Sequence, residues 1–221
     1  MNYENIKFKH PTNTMVVGST GSGKTVLVRN LLKYHKLLIS VDTEILKVIW
    51  FYGQWHSLID VNIDNCEIKY ISNLPKDDVI TKFKTNLIVI DDLLNEMNKE
   101  KNFENIFIKK SHHLNISVIF LVQNLFYNAK SMRTISLNCH YIILMKNPRD
   151  KTQIMTLARQ IYPNDSKFLI SAYTDATKES YGYIRIDLTQ TTPDDLRVLS
   201  NLIPQDNNLP IIYVTKSTKN N

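Results

Sequence analysis

Eight consecutive residues carry the densest chemistry in this chain: Gly18, Ser19, Thr20, Gly21, Ser22, Gly23, Lys24 and Thr25. Their pattern, G-x-x-x-x-G-K-T, is that of a loop that wraps a phosphate. Such a loop must turn sharply and point its N–H groups inward, which favours residues without a Cβ. The chain has only five glycines, and three of them fall in this octet, so their placement is not a by-product of composition. Backbone N–H groups from Ser19 to Thr25 would surround a β-phosphate, and the start of the following helix would add its partial positive charge. Lys24 would reach the β- and γ-phosphates, and the Thr25 hydroxyl would ligate Mg²⁺. The apolar run Met15-Val16-Val17 before the loop and the helix-like Val26 to Leu32 after it supply the strand–loop–helix context the motif needs.

A second constellation follows at Leu87-Ile88-Val89-Ile90-Asp91-Asp92, four apolar residues and then two carboxylates. This is a Walker B pattern. Asp91 would hold Mg²⁺ through the metal's water shell, and Asp92 would polarise an attacking water. The plain alternative is a strand-end Asp capping the next helix. A third run, Val118 to Val122, ends in Gln123 and Asn124. The residues alone leave two readings open for Gln123: a sensor that orients water against a γ-phosphate, or an amide satisfying backbone groups at a strand end. Phosphoryl transfer also draws on positive charge, often an arginine from a neighbouring subunit. Arg133 and Arg149 are the candidates, with Arg159 and Arg185 behind them, although a surface position is the default for any one arginine. His112-His113 lacks the spacing of a metal site and reads as a solvated helix end.

These tips have to be held by something. Apolar β-rich runs recur at 15–17, 48–52, 87–90, 116–122 and 141–145, and they are continuous rather than alternating, which marks strands buried on both faces. Helical patterns lie between them at 24–36, 76–83, 101–112, 127–137 and 150–161, with another at 164–173. Strands alternating with helices predict an α/β fold of the P-loop NTPase type (RecA/FtsK-like), with a mostly parallel sheet flanked by helices on both faces. Cys66 to Ile71 is a further strand candidate, and Tyr181 to Leu188 alternates and reads as a strand near the sheet edge. From Thr189 prolines and asparagines change the texture. That predicts an ATPase domain over 1–188 and a C-terminal extension over 189–221, partly disordered, in which Ile211 to Val214 adds a late strand or docks on another chain.

Composition sets the outer bounds. Hydrophobic content of 43% and charged content of 22% are ordinary for a soluble domain. No apolar run approaches the roughly 18 residues of a membrane span, and the first ten residues lack the apolar core of a signal peptide. Cys66 and Cys139 sit in apolar stretches and read as reduced, buried thiols. A net charge of +6 favours a polyanionic partner without establishing one, because the basic residues are spread along the chain.

In this order and spacing, Gly18 to Thr25, Leu87 to Asp92 and Val118 to Asn124 resemble the FtsK/HerA superfamily of pumping ATPases. So do Asn138, the run Tyr141 to Met145 and the segment Lys146-Asn-Pro-Arg-Asp150 that follow. Within it the chain looks most like the compact genome-packaging ATPases of large DNA viruses and related virus-like transposons, the poxvirus-type and Polinton/adintovirus-type enzymes. The resemblance covers about residues 12 to 162. It implies ATP and Mg²⁺ as cofactors, and hydrolysis coupled to moving double-stranded DNA into a preformed capsid. It also implies a homo-oligomeric ring, a pentamer or hexamer, with an arginine reaching each site from the neighbour. Capsid proteins would be partners, a membrane would not, and the setting would be assembling virions in host cytoplasm or nucleus. One departure stands out: many members carry Asp-Glu where this chain has Asp91-Asp92, which leaves the catalytic base less defined. Pore-lining lysines and arginines would come from 95–110 and 126–133. A small-molecule kinase, a non-packaging DNA pump and a nucleotide-gated scaffold are the rival readings. A GTPase is disfavoured, since Asn98-Lys99-Glu100-Lys101 lacks the Asp of a guanine-reading motif.

Overall fold

A computed structural model describes residues 3–53, 62–72, 80, 82–93, 113–126, 130–204 and 209–215. In chain order the strands are β1 (Asn13–Val17), β2 (Leu46–Tyr52), β3 (Cys66–Ser72), β4 (Leu87–Asp91), β5 (Ser117–Val122) and β6 (Tyr141–Met145), then β7 (Tyr183–Asp187), β8 (Val198–Ser200) and β9 (Ile211–Tyr213). The helices are α1 (Lys24–Lys33), α2 (His35–Leu38), α3 (Lys130–Leu137), α4 (Thr152–Ile161) and α5 (Ser166–Ala176). Among the described residues, all nine strands join one sheet in the order β3-β2-β4-β5-β1-β6-β7-β8-β9. The six from β3 to β6 are parallel, and β7, β8 and β9 run antiparallel along one edge. The sheet is therefore mostly parallel, as the alternation of elements predicts.

The continuous apolar runs are explained by two separate cores. Every residue of β1, β4, β5 and β6 is buried. Successive side chains on a strand point to opposite faces, so each run must feed both layers. Val16, Val89, Leu121 and Ile143 pack on one side with Leu27, Val28, Leu31 and Leu32 of α1. Met15, Ile90, Phe120 and Leu144 pack on the other with Ile154 and Leu157 of α4 and Leu169 and Ala172 of α5. Trp50 on β2 is fully buried and packs in the same core as α1.

Some expected elements change shape. The helix expected over 24–36 ends at Lys33, where Tyr34 leaves helical geometry and its N–H turns back to the Asn30 and Leu32 carbonyls. The His35 ring nitrogen Nδ1 also donates to Leu32 O, at 2.8 Å, and the chain restarts as the one-turn α2. The helices expected at 76–83 and 101–112, the proposed pore segment 95–110 and the last six residues lie largely or wholly outside the described residues.

Past Thr189 the pairing shows no break at the sheet edge. β8 pairs with β7 and β9 with β8, and β9 falls within the 211–214 run. Arg185 anchors this edge, and it corrects the surface position expected of it: its side chain is 0% exposed. The guanidinium lies over the rings of Phe8 and Tyr141, at 5.1 and 5.4 Å from their centroids. It donates to the Ile6 carbonyl and faces Asp187 at 3.8 Å. Asp187 in turn accepts from the hydroxyls of Thr189 and Thr192, while Lys9 Nζ donates to Thr189, Thr191 and Thr192. Buried charge is tolerated only when paired and hydrogen-bonded, and the N-terminal segment supplies part of that pairing.

Candidate nucleotide site

Strand order brings the three motifs together. β5 lies between β1 and β4, with Val17 opposite Val122 and Asp91 opposite Leu121. All three strands are parallel, so their C-terminal tips share one edge. The phosphate loop, Gln123 and the two aspartates leave the sheet side by side. Gly18 N–H donates to Val122 O at 3.1 Å, which pins the loop to the strand carrying Gln123.

The loop opens α1 at Gly23, whose φ of 96° lies in the left-handed region. A residue with a Cβ is strained there, which explains the glycine. No side chain caps α1, and its first turn carries no acidic residue. The orphan N–H groups of that turn are left to an anion. The Lys24 ammonium folds over the loop and donates to the carbonyls of Gly18 (2.6 Å) and Ser19 (3.2 Å). Burial pulls its pKa down, and the charges of Asp91 and Asp92 oppose that pull.

Thr25 Oγ1 donates to Asp91 Oδ2 at 3.4 Å. Asp91 is buried at the end of β4, whereas Asp92 is exposed, with φ of 54°. That turn points the two neighbouring carboxylates to different places. Gln123 Nε2 donates to Asp92 Oδ1 at 3.4 Å, so the amide and the outer carboxylate form a pair across adjacent strand tips. The hydroxyl and buried carboxylate of Thr25 and Asp91 fit a hard cation that keeps its waters and takes further oxygens from phosphates.

Gly53, which the motifs do not flag, has a part in this arrangement. It follows β2 directly, and its N–H donates to Asp91 O at 3.1 Å. A Cβ at Gly53 would meet the Asp92 carbonyl oxygen at 2.6 Å. Glycine there is what lets the Asp91–Asp92 backbone pass so close. A glycine straight after a strand was the available signal, and it is a weak one.

The site opens into a cleft of about 940 Å³. Thr20 to Thr25, Asp91, Asp92 and Gln123 line it, together with Tyr181 to Tyr183, Asn201, Ile203, Ile211 and Tyr213. The antiparallel edge is thus part of the site, which the motifs do not reveal. Arg133 and Arg149 are both exposed and neither lines the cleft. Arg149 sits in a turn after β6, where Asn147 Oδ1 accepts the N–H groups of Arg149 and Asp150. His113 is exposed; Cys139 is buried as expected whereas Cys66, on the edge strand β3, is only half-buried, and burial pushes the two free thiols up to about 12 and about 11.

The family model described as Poxvirus A32 protein matches residues 1–172. No curated protein matches the chain. Among solved structures, it is similar to the DNA-packaging ATPase B204 from Sulfolobus turreted icosahedral virus, at 16% identity and a TM-score of 0.52, over 80% of this chain and 93% of that one. The genome-packaging NTPase B204 from Sulfolobus turreted icosahedral virus 2 in complex with AMP gives the same identity, coverage and TM-score. Its complex with ATP-gammaS gives 17%, with a TM-score of 0.51, over 80% and 92%. At such identities the likeness is one of fold, and it confirms the α/β P-loop NTPase architecture.

Proposed function

The chain belongs to the poxvirus A32 protein family, and from that premise we propose that it is a viral genome-packaging ATPase, hydrolysing ATP to drive double-stranded DNA into a capsid. The observation that carries this reading is the row of strand tips. An uncapped helix start, the Thr25–Asp91 contact and the Asp92–Gln123 pair all face one cleft.

In the proposed reaction, loop N–H groups and Lys24 hold the β- and γ-phosphates and offset the charge that builds between them. Mg²⁺, held by Thr25 and through water by Asp91, supplies further charge neutralisation when bound. Asp92 orients a water and draws its proton as the water oxygen bonds to the γ-phosphorus. The bond from that phosphorus to the bridging oxygen breaks, leaving ADP and inorganic phosphate. Gln123 holds Asp92 and senses whether the γ-phosphate is present. The shorter Asp92, where many members of the wider superfamily carry Glu, fits this role because its left-handed backbone and the close pass at Gly53 fix where it points.

The chain works as a homo-oligomeric ring of five or six copies. Arg149 is the stronger candidate to reach a neighbour's site, because it stands exposed beyond β6, whose tip lies beside that of β1. Arg133, on α3 and also exposed, is the second. The net charge of +6 suits a DNA backbone gripped without sequence readout. No helix among the described residues is long and apolar enough to cross a membrane. The setting is virion assembly in host cytoplasm or nucleus, against capsid proteins.

Steady-state ATP hydrolysis with and without linear double-stranded DNA, at two salt concentrations and several protein concentrations, tests this. Turnover should rise with DNA and with protein concentration, and the DNA effect should fade with salt. Turnover indifferent to DNA and to concentration at low salt would contradict the motor and redirect attention to a kinase acceptor.

A further inference from the structure

The cleft of about 940 Å³ is lined by two sets of residues that differ in chemistry. Lys24 is the one cation among its described lining residues, and it stands at the phosphate loop. The other set comes from the end of α5 and the antiparallel edge, where Asp175 is paired with Lys178 at 2.5 Å and Tyr181, Asn201, Ile203 and Ile211 face the cleft. The aromatic, amide and aliphatic side chains of that set suit the uncharged part of the ligand rather than its phosphates. We propose that the antiparallel edge is a purine-binding subsite, with Tyr181 stacking on the base, Asn201 hydrogen-bonding its edge, and Ile203 and Ile211 as apolar walls. This rests on the reading of the phosphate loop as an ATP site.

Tyr181 is built for such a role. Its side chain is 66% exposed, yet a Cβ on Gly23 would sit 3.1 Å from its ring, so the ring borders the phosphate loop. It also holds φ of 62°, rare for a bulky residue. The turn around it is clamped: Lys146 N–H donates to Gly182 O at 2.8 Å, and Lys146 Nζ donates to Lys178 O at 2.7 Å. A strained aromatic kept at a cleft mouth by its neighbours is a reason to look for a ligand.

The opposite wall is fixed as well. Tyr183 Oη accepts the N–H groups of Leu202 (2.9 Å) and Ile203 (3.2 Å), which holds the turn that presents Asn201. Tyr213 donates to Asp175 Oδ2 at 2.8 Å, tying β9 to α5. The Asn201 amide makes no hydrogen bond among the described residues, so both its donor and its acceptor are open to a ligand. An amide of that kind pairs with the N6 and N7 of adenine.

Equilibrium binding of ATP, GTP and inorganic tripolyphosphate, each with Mg²⁺, to the full chain and to Tyr181→Ala, Tyr181→Phe and Asn201→Ala tests the proposal. Tyr181→Ala should weaken ATP binding about ten- to a hundredfold and leave tripolyphosphate binding as it was. Tyr181→Phe should bind ATP as the parent does, and Asn201→Ala should narrow the preference for ATP over GTP. Equal loss of ATP and tripolyphosphate in Tyr181→Ala would overturn the subsite, since the ring would then only buttress Gly23. Unchanged ATP binding would overturn it too, as would an ATP to GTP ratio indifferent to Asn201. A parent chain that binds neither ATP nor tripolyphosphate would instead sink the nucleotide reading beneath it.

Discussion

Along β4, β5 and β1 the reactive groups leave the tips of strands buried on both faces, whereas along β7 to β9 the cleft wall is made of turns held by side chains. The difference lies in how position is enforced. At the parallel tips, backbone register does the work: Val17 against Val122 and Asp91 against Leu121 fix where Gly18, Gln123 and Asp92 emerge. At the antiparallel edge, Arg185, Asp187, Lys146 and Tyr183 hold short segments in place. Register-built geometry is stiff and tolerates little change at its tips. Geometry built from side chains can be altered without moving the chemistry.

Lys24→Ala should then show the largest effect, lowering turnover about a thousandfold and weakening nucleotide binding, with the melting temperature little changed. ATPase rates beside a thermal melt check both halves of that statement. Arg185→Ala breaks the other region. It leaves Asp187 buried without its cation and should cost about 3 kcal/mol of stability by denaturant unfolding. If Arg185→Ala instead lowered turnover and spared stability, the contrast between the regions would fail. Asp92→Asn should keep ATP binding and lose about a hundredfold in turnover, within the range of a positioned base. Wild-type turnover in that variant would remove Asp92 as the residue that orients water. The smallest effect sharpens the contrast most: Gly53→Ala should push the Asp92 backbone and lower turnover about tenfold, with ATP affinity unchanged, since misplacement by about 1 Å is already costly.

The sequence and the structure agree where information is local. Continuous apolar runs ending in Asp91-Asp92 and Gln123 are legible because burial on both faces leaves no room for polar residues until the strand ends. Gly18 to Thr25 is legible because few backbones can wrap a phosphate. Strand order is not legible, since nothing in β5 itself states that it lies between β1 and β4, and so the contact of Gln123 with Asp92 could not be read. Arg185 was hidden for a related reason. Its burial depends on Ile6 and Phe8, near the other end of the chain. The partners that make it a core residue are distant in sequence, and an isolated arginine reads as surface. Gly53 belongs to no motif, and only the close pass of Asp92 gives it meaning. Prolines at 193, 204 and 210 mark the change of texture after Thr189, and within that stretch β8 and β9 continue the sheet, the second at the 211–214 run expected to add a late strand.

Displacement of a triplex-forming oligonucleotide from linear double-stranded DNA by the purified chain is the most direct test of a pump. The third strand should be stripped off with ATP, and should stay in place with a non-hydrolysable analogue or with Lys24→Ala. ATP hydrolysed at full rate over DNA whose triplex remains intact would contradict translocation.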